Sequence, residues 1–291
     1  MASLIMVEGL PGTGKSTTAH FLNGWLSKQG RTVAHYPEGR ADHPVDFEQV
    51  AILSTETFIG LVGAFPAQGD DLIRGAEKVG DSWLVRYSQR RGWPRELRTR
   101  IEEYDVYDGS ITPELHTRVL RDSWDSFGDK VAHTSEVYLF ECVLLQNPVT
   151  ALLGRFDLPA EAVEAHIRRL ADSVAALEPI VVYLDPGDPA VVLERAAAER
   201  PAEWLESVVA YHCGQGYGLA RGLQGFDGYV EFMRRRRELE LELLPRLGAL
   251  SLRVEVSDGD WDTHRAEITE FLDRNLGDPG FGFDADVPMG A

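Results

Sequence analysis

The stretch that decides the fold is Val7-Glu8-Gly9-Leu10-Pro11-Gly12-Thr13-Gly14-Lys15-Ser16-Thr17. It contains the pattern G-x-x-x-x-G-K-[ST], in which glycines free the backbone so that successive N–H groups can turn toward one anion. Lys15 is placed to reach the β- and γ-phosphates of a nucleotide, and Ser16 to ligate Mg²⁺. The stretch therefore predicts a phosphate-binding loop formed by Gly9, Pro11, Gly12, Thr13, Gly14, Lys15, Ser16 and Thr17.

The flanks of this loop have the order of elements that it requires. The apolar run Leu4–Val7 precedes it and is typical of a buried parallel strand. Residues 15–29 follow it and predict a helix that ends at Gly30. A helix that begins at Lys15 directs its positive end at the bound anion.

Further apolar runs predict four more strands, at 32–36, 137–140, 180–184 and 250–256, with helical stretches between them. Strands separated by helices imply crossover connections and a parallel sheet. We therefore expect one α/β domain over residues 1–276. Residues 42–133 contain no clear strand pair, and we expect a mostly helical insertion there that holds substrate. The tail 277–291 is rich in Gly, Pro and Asp and is expected to lie loosely on the surface.

Composition excludes several classes of protein. The net charge of −18 disfavours nucleic acid as a partner, because such binding needs cationic patches. No apolar run approaches the roughly 20 residues that span a bilayer. The N-terminus lacks a basic segment followed by an apolar one, so we expect no secretion signal. Cys142 and Cys213 are too few for a disulfide framework. We expect a cytoplasmic protein without a membrane partner. The sequence leaves open whether the chain forms a homodimer.

The form Glu8-Gly9-x-x-Gly12-x-Gly14-Lys15-Ser16-Thr17 resembles the E-G-x-x-G-x-G-K-S-T loop of thymidylate kinases and deoxynucleoside kinases. The later order of strands and helices is also similar, over roughly two thirds of the chain. The resemblance implies an α/β P-loop NTPase fold, a three-layer sandwich with a five-stranded parallel sheet and a large helical insertion. It also implies ATP as the phosphoryl donor and Mg²⁺ as the cofactor.

Two acidic residues that follow predicted strands become candidates through this resemblance. Glu38 lies where deoxynucleoside kinases carry an E-P-V motif that touches the substrate hydroxyl, although the sequence here is Pro37-Glu38-Gly39. Its carboxylate could orient that hydroxyl or accept its proton, or it could simply close a turn. Glu141 ends the third strand, where P-loop enzymes place an acid that holds Mg²⁺. Cys142 stands where the related families have arginine.

Arginines supply the remaining candidates. Arg195 and Arg200 lie where the related kinases place lid arginines, which offset the charge of phosphoryl transfer. Arg234–Arg237 is a run of four arginines whose side chains point in different directions on a helix. The glutamates that follow favour local ion pairs, so we interpret this run mainly as a solvated face. The predicted catalytic set is Lys15, Glu38, Glu141, Arg195 and Arg200, with Ser16 and Glu141 at the metal and Gln146 and Asn147 near the substrate.

These features favour an ATP-dependent phosphotransferase that moves the γ-phosphoryl group to a hydroxyl or phosphate of a small molecule, such as a nucleoside, a nucleotide or another metabolite. The alternative is a P-loop ATPase that acts as a nucleotide-dependent switch. A Ras-type GTPase is not expected, because none of Asn23, Asn147 and Asn275 begins an Asn-Lys-x-Asp motif. The negative charge of the chain disfavours a kinase of nucleic-acid ends.

Overall fold

A parallel sheet forms the centre of the molecule, which in this computed structural model is described for residues 3–277 except residues 89 and 91. Within this part of the chain the sheet has five strands. In spatial order they are β2 (Val33–Tyr36), β6 (Val137–Glu141), β1 (Ser3–Gly9), β7 (Ile180–Asp185) and β8 (Leu250–Glu255). The register sets Val7 of β1 beside Glu141 and Val182. The predicted α/β fold with its five-stranded parallel sheet is confirmed, and the predicted tail lies outside the described residues except for Gly277.

Helices cover both faces of this sheet and complete three layers. Helices α1 (Lys15–Lys28) and α12 (Trp261–Asn275) pack on the face to which Ile5 and Val7 of β1 contribute. Leu4 and Met6 alternate with them and belong to the opposite core. That core is covered by α5 (Pro113–Val131), α7 (Ala160–Ser173) and α11 (Gly225–Leu243). Because both faces are covered, the central strands are mainly apolar, and their carboxylates Glu8, Glu141 and Asp185 lie near the carboxyl ends.

A second, antiparallel sheet lies between β2 and α5 along the chain. Its strands follow the order β3 (Val50–Ser54), β5 (Ser82–Arg86), β4 (Ala76–Val79). Helices α2 (Thr55–Ala64), α3 (Gly69–Arg74) and α4 (Arg95–Glu102) accompany it and share its small core. The expectation that residues 42–133 contain no strand pair is therefore wrong. Strands of four or five residues leave too short a pattern to distinguish from helix.

The remaining helices connect β6, β7 and β8. They are α6 (Gln146–Val149), which continues as a π-helical segment over Thr150–Arg155, α8 (Pro189–Glu199), α9 (Ala202–Cys213) and α10 (Gly216–Ala220). Single 3-10 turns cover Pro66–Gln68, Ala175–Leu177 and Leu244–Arg246. None of the described helices is both long enough and apolar enough to cross a bilayer.

Two helical glycines give opposite predictions for stability. A Cβ added at Gly128 of α5 would lie 2.4 Å from the carbonyl oxygen of Ser173, whereas one added at Gly24 of α1 meets nothing within 4 Å. We expect Gly128→Ala to lower the free energy of unfolding by about 1–3 kcal/mol through overpacking, and Gly24→Ala to raise it by about 0.5–1 kcal/mol through helix propensity. Urea unfolding of both variants checks this, and equal effects would contradict the close packing of α5.

Candidate functional site

The loop between β1 and α1 has a backbone that requires glycine. Gly9, Gly12 and Gly14 have φ angles of 143°, 83° and 87°, which side-chain-bearing residues rarely adopt. A Cβ at Gly9 would lie 2.5 Å from the carbonyl oxygen of Leu184, and one at Gly14 would lie 2.5 Å from the indole ring of Trp261. The three glycines therefore let the loop pass close to β7 and to the start of α12.

The loop leads into a helix N-terminus suited to an anion. Gly14, the N-cap of α1, provides no side-chain cap for the N–H groups of the first turn. Lys15 is only 7% exposed, and its Nζ donates a hydrogen bond to the carbonyl oxygen of Leu10 at 2.8 Å. The Thr13 hydroxyl donates to the same oxygen at 2.9 Å. The arrangement combines a buried ammonium group with unpaired N–H donors, which is the chemistry that binds phosphate.

A buried arginine holds the start of this loop. Arg236 of α11 is 1% exposed and donates from one Nη to the carbonyl oxygen of Gly9 at 3.1 Å. Its Nε donates to Glu240 at 2.6 Å, and its other Nη donates to the Thr150 hydroxyl at 3.2 Å. Tyr183 of β7 donates to the second oxygen of Glu240 at 2.8 Å. The guanidinium thus connects α11, the π-helical segment and the phosphate-loop backbone.

The other arginines of this run also have partners. Arg237 pairs with the buried Asp185 at the end of β7, and Arg234 pairs with Asp188 at the start of α8. Arg235 makes the expected local pair with Glu238. The interpretation of the run as a mainly solvated face is wrong for Arg236, because the side chain of Arg236 is buried. Its partner Gly9 is distant in sequence, so the helix pattern alone does not indicate this contact.

Glu8 fixes the loop that follows β6. Its carboxylate is fully buried and accepts hydrogen bonds from the backbone N–H groups of Leu144 at 2.8 Å and Gln146 at 3.0 Å. Burial raises the pKa of Glu8 to about 7, although these two hydrogen bonds oppose the rise. Cys142, at the bend of the same loop, has a φ of 68°. The carboxyl end of β1 is thereby joined to the loop after β6 by a buried carboxylate, and this loop contains a strained turn at Cys142.

Glu141 ends β6 and lies in register with Val7 of β1, two residues before the phosphate loop begins at Gly9. It is 1% exposed, and one carboxylate oxygen is 2.9 Å from Nε2 of His35 on β2. The other oxygen, Oε2, has no partner among the described residues. Ser16 is exposed at the first turn of α1. A carboxylate oxygen and a hydroxyl are the hard ligands that Mg²⁺ takes together with phosphates and water, so these residues fit that ion. The described residues contain no cluster of three or more acidic, His or Cys ligands for a metal.

Polar side chains meet where the segment after β6 approaches the segment after β2. Nε2 of Gln146 donates to Glu38 at 2.6 Å, and Nδ2 of Asn147 lies 3.4 Å from Oδ1 of Asp46. Burial raises the pKa of Tyr107 well above its ordinary value, and the carboxylate of Asp46 raises this pKa further. Segments that follow β2, α4 and β6 therefore converge here.

The two predicted lid arginines differ in position. Nη2 of Arg195, on α8, donates to the carbonyl oxygen of Gly12 at 3.3 Å, so this residue contacts the phosphate loop. A Cβ at Gly12 would lie 3.2 Å from Val192, which shows how closely α8 packs on the loop. Arg200 instead lies with its guanidinium carbon 4.3 Å from the centre of the Trp204 ring. The structure brings Arg195, but not Arg200, to the loop.

Several residues of this site were missed from the sequence. His35 lies on β2 between the half-buried Ala34 and Tyr36, and the sequence gave no signal for it beyond its strand position. Asp46 and Tyr107 lie in the insertion, outside the described helices and strands, and only the fold brings them to Gln146 and Asn147. Arg236 was visible as part of a charge run, but its burial depends on distant partners.

Comparison with known proteins finds structural likeness only. No protein-family model matches the sequence, and no curated protein matches it. Among solved structures, the chain is similar to thymidylate kinase from Candida albicans, at 12% identity and a TM-score of 0.42 over 94% of this chain and 92% of that one. It is also similar to deoxyadenosine kinase from M. mycoides with bound dATP, at 13% identity and 0.42 over 93% and 99%. At these values neither likeness assigns an activity to this chain.

The buried Arg236 and its half-buried neighbour Arg235 form a matched pair for a test. Arg236→Met leaves Glu240 buried without its partner and frees the Gly9 carbonyl, so we expect the free energy of unfolding to fall by about 3–5 kcal/mol. Arg235→Met removes only a surface pair and should change it by less than about 1 kcal/mol. Chemical denaturation followed by circular dichroism measures both. Similar losses in the two variants would contradict the role of Arg236 as an anchor.

Proposed function

We propose that this protein is an ATP- and Mg²⁺-dependent phosphotransferase that moves the γ-phosphoryl group to a small molecule. The observation that carries the proposal is the glycine loop at the end of β1, in which Lys15 and the uncapped N-terminus of α1 face the same space. A second group of acidic and amide side chains meets where the segments after β2 and β6 come together. The glycine loop suits the phosphates of a donor, and this second group suits a polar acceptor.

On the donor side, the backbone N–H groups of residues 9–17 would bind the phosphates of ATP, and Lys15 would turn from Leu10 to the β- and γ-phosphates. Ser16 and the unpaired oxygen of Glu141 would hold Mg²⁺. When bound, the ion supplies positive charge that neutralises the phosphate oxygens. His35 would keep the Glu141 carboxylate in one orientation through their 2.9 Å contact.

On the acceptor side, Glu38 would accept the proton of the attacking hydroxyl, and Gln146 would hold its carboxylate in place. The acceptor oxygen forms a bond to the γ-phosphorus. The bond from that phosphorus to the bridging oxygen breaks, and ADP leaves with the electron pair. Arg195, already in contact with Gly12, would stabilise the charge that develops on the transferred group. Arg200 would need to leave the Trp204 ring to take this role.

A pair of lysines on α1 tests the proposal. Lys15→Ala removes the only ammonium group that the described phosphate loop contains, so we expect phosphoryl transfer to fall at least about 100-fold. Lys28→Ala, at the other end of α1, should leave the rate within about twofold. Transfer is measured as ADP formation in a coupled assay with a mixture of nucleosides and other hydroxyl-bearing metabolites.

Circular dichroism and thermal melting control for the fold of both variants. Unchanged turnover in a folded Lys15→Ala protein would contradict the proposed function.

A further inference from the structure

A cavity of about 560 Å³ lies between α5 and the antiparallel sheet. Its floor is formed by Tyr36 and Tyr138 of the central sheet together with Phe47. Tyr138 precedes Glu141 on β6 by three residues, which corresponds to about 10 Å along a strand. The described residues that line this cavity include neither the phosphate loop nor the group around Glu38. The cavity has the size of a small-molecule site and is separate from the one proposed above.

The pleat of the antiparallel sheet explains why one of its faces is turned to this cavity. Trp83 and Val85 of β5 belong to the small core that α2, α3 and α4 share. Ser82, Leu84 and Arg86 alternate with them along the strand and line the cavity. One face of the sheet is therefore packed, and the other forms a wall of the cavity.

Helix α5 forms the opposite wall. Val119, Ser123, Phe127 and Val131 lie four residues apart, so they share one face of the helix, and all four line the cavity. Phe127 packs edge-on against Tyr138, with ring centres 5.2 Å apart. The inner surface is thus largely apolar and aromatic, which suits a flat ring that packs against other rings.

The rim of the cavity is polar and open to solvent. Glu77, Asp81, Arg118 and Lys130 belong to its lining and are exposed. Charges of both signs occur there, and exposed charges are strongly screened by water and salt. The rim therefore does not decide which charge a ligand carries.

The charge on the inner wall is the guanidinium of Arg86, a half-buried residue. Its two Nη atoms donate to the carbonyl oxygens of Ala41 and His43, both at 3.1 Å. Its guanidinium carbon lies 5.6 Å from the centre of the Phe47 ring. Within the described part of the chain it forms no ion pair, and a guanidinium carries more N–H donors than these two bonds use.

Burial lowers the pKa of Arg86 below its ordinary value, although the charges of Glu77, Asp46 and Asp42 oppose this effect. The carboxylate of Asp42 is in contact with a different cation, Arg40. The guanidinium is thus partly desolvated without a carboxylate in contact with it. An anionic acceptor in the cavity would engage its remaining donors where little water competes, and charge-assisted hydrogen bonds of this kind are strong.

We propose that this cavity is a second binding site, and that it takes a small molecule in which a flat apolar ring carries a carboxylate. The ring lies among Phe47, Phe127 and Tyr138, and the carboxylate accepts hydrogen bonds from Arg86. A nucleotide at the phosphate loop and this ligand can be bound at the same time, because the two sites share no lining residue. The inference does not depend on the proposed phosphoryl transfer.

Three naphthalene derivatives with the same ring and different charge test this inference. 2-Naphthoate is anionic, 2-naphthalenemethanol is neutral, and 2-naphthylmethylamine is cationic at neutral pH. Isothermal titration calorimetry on the full chain, with excess ADP and Mg²⁺ to fill the phosphate loop, should show naphthoate binding at least about fivefold more tightly than the alcohol, and the amine more weakly than both. Equal affinities, a preference for the amine, or no binding of naphthoate would overturn the inference.

Two tryptophan variants of α5 locate the binding. Ser123 is half-buried and lines the cavity, whereas Asp129 is exposed and lies outside it. Ser123→Trp should occupy the space of the ligand and weaken naphthoate binding at least about tenfold, and Asp129→Trp should change it by less than about twofold. Equal affinities in the two folded variants would place the ligand elsewhere and contradict the proposal.

A second pair of variants tests the charge and decides if Ser123→Trp does not fold. Arg86→Gln removes the guanidinium, so naphthoate and the alcohol should then bind within about twofold of each other. Lys78→Gln is the control, because Lys78 lies over the Trp83 ring on the other face of the sheet, and the preference for naphthoate should remain. Circular dichroism confirms the fold of each variant. A preference that survives in folded Arg86→Gln protein would contradict the role of the guanidinium.

Discussion

The hydrogen bond from the buried guanidinium of Arg236 to the carbonyl oxygen of Gly9 is the contact on which the rest of the site depends. It fixes the backbone at the point where β1 ends, and Glu240 and Tyr183 fix the guanidinium in turn. A buried ion pair of this kind adds little net stability, but the loss of one partner is costly. The contribution of Arg236 is to hold the Gly9 backbone in place, because a shift of Gly9 would displace the N–H groups of the loop that follows it.

From this anchor, two opposite electrostatic environments develop at the carboxyl edge of the sheet. The phosphate loop offers N–H donors, Lys15 and the positive end of α1. A short distance along the edge, the segments after β2 and β6 offer carboxylates and amide oxygens. Glu8 links these two environments. It directly precedes Gly9 of the phosphate loop, and its buried carboxylate accepts hydrogen bonds from the N–H groups of Leu144 and Gln146. The carboxyl edge of an open parallel sheet is where such folds bind ligands.

The local part of this arrangement could be predicted from the sequence. The loop, α1 and the strand positions depend on residues close together in the chain, and the structure has them within a few residues of the expected bounds. The second sheet was missed because its strands are short. A signal was nevertheless present, since the two-residue connection Gly80-Asp81, with Gly80 at φ 57°, is typical of a hairpin. The burial of Arg236 and the meeting of Asp46 with Asn147 depend on residues roughly a hundred or more positions apart, which no local pattern encodes.

The central claim is that the γ-phosphoryl group of ATP is transferred to an acceptor and not to water. Phosphorus NMR of the purified protein with ATP, Mg²⁺ and a mixture of hydroxyl-bearing metabolites follows the fate of that group directly. A new phosphate monoester resonance that grows in step with ADP is the predicted result. Inorganic phosphate formed in an amount equal to ADP, with no monoester, would contradict the claim and favour a nucleotide-dependent switch.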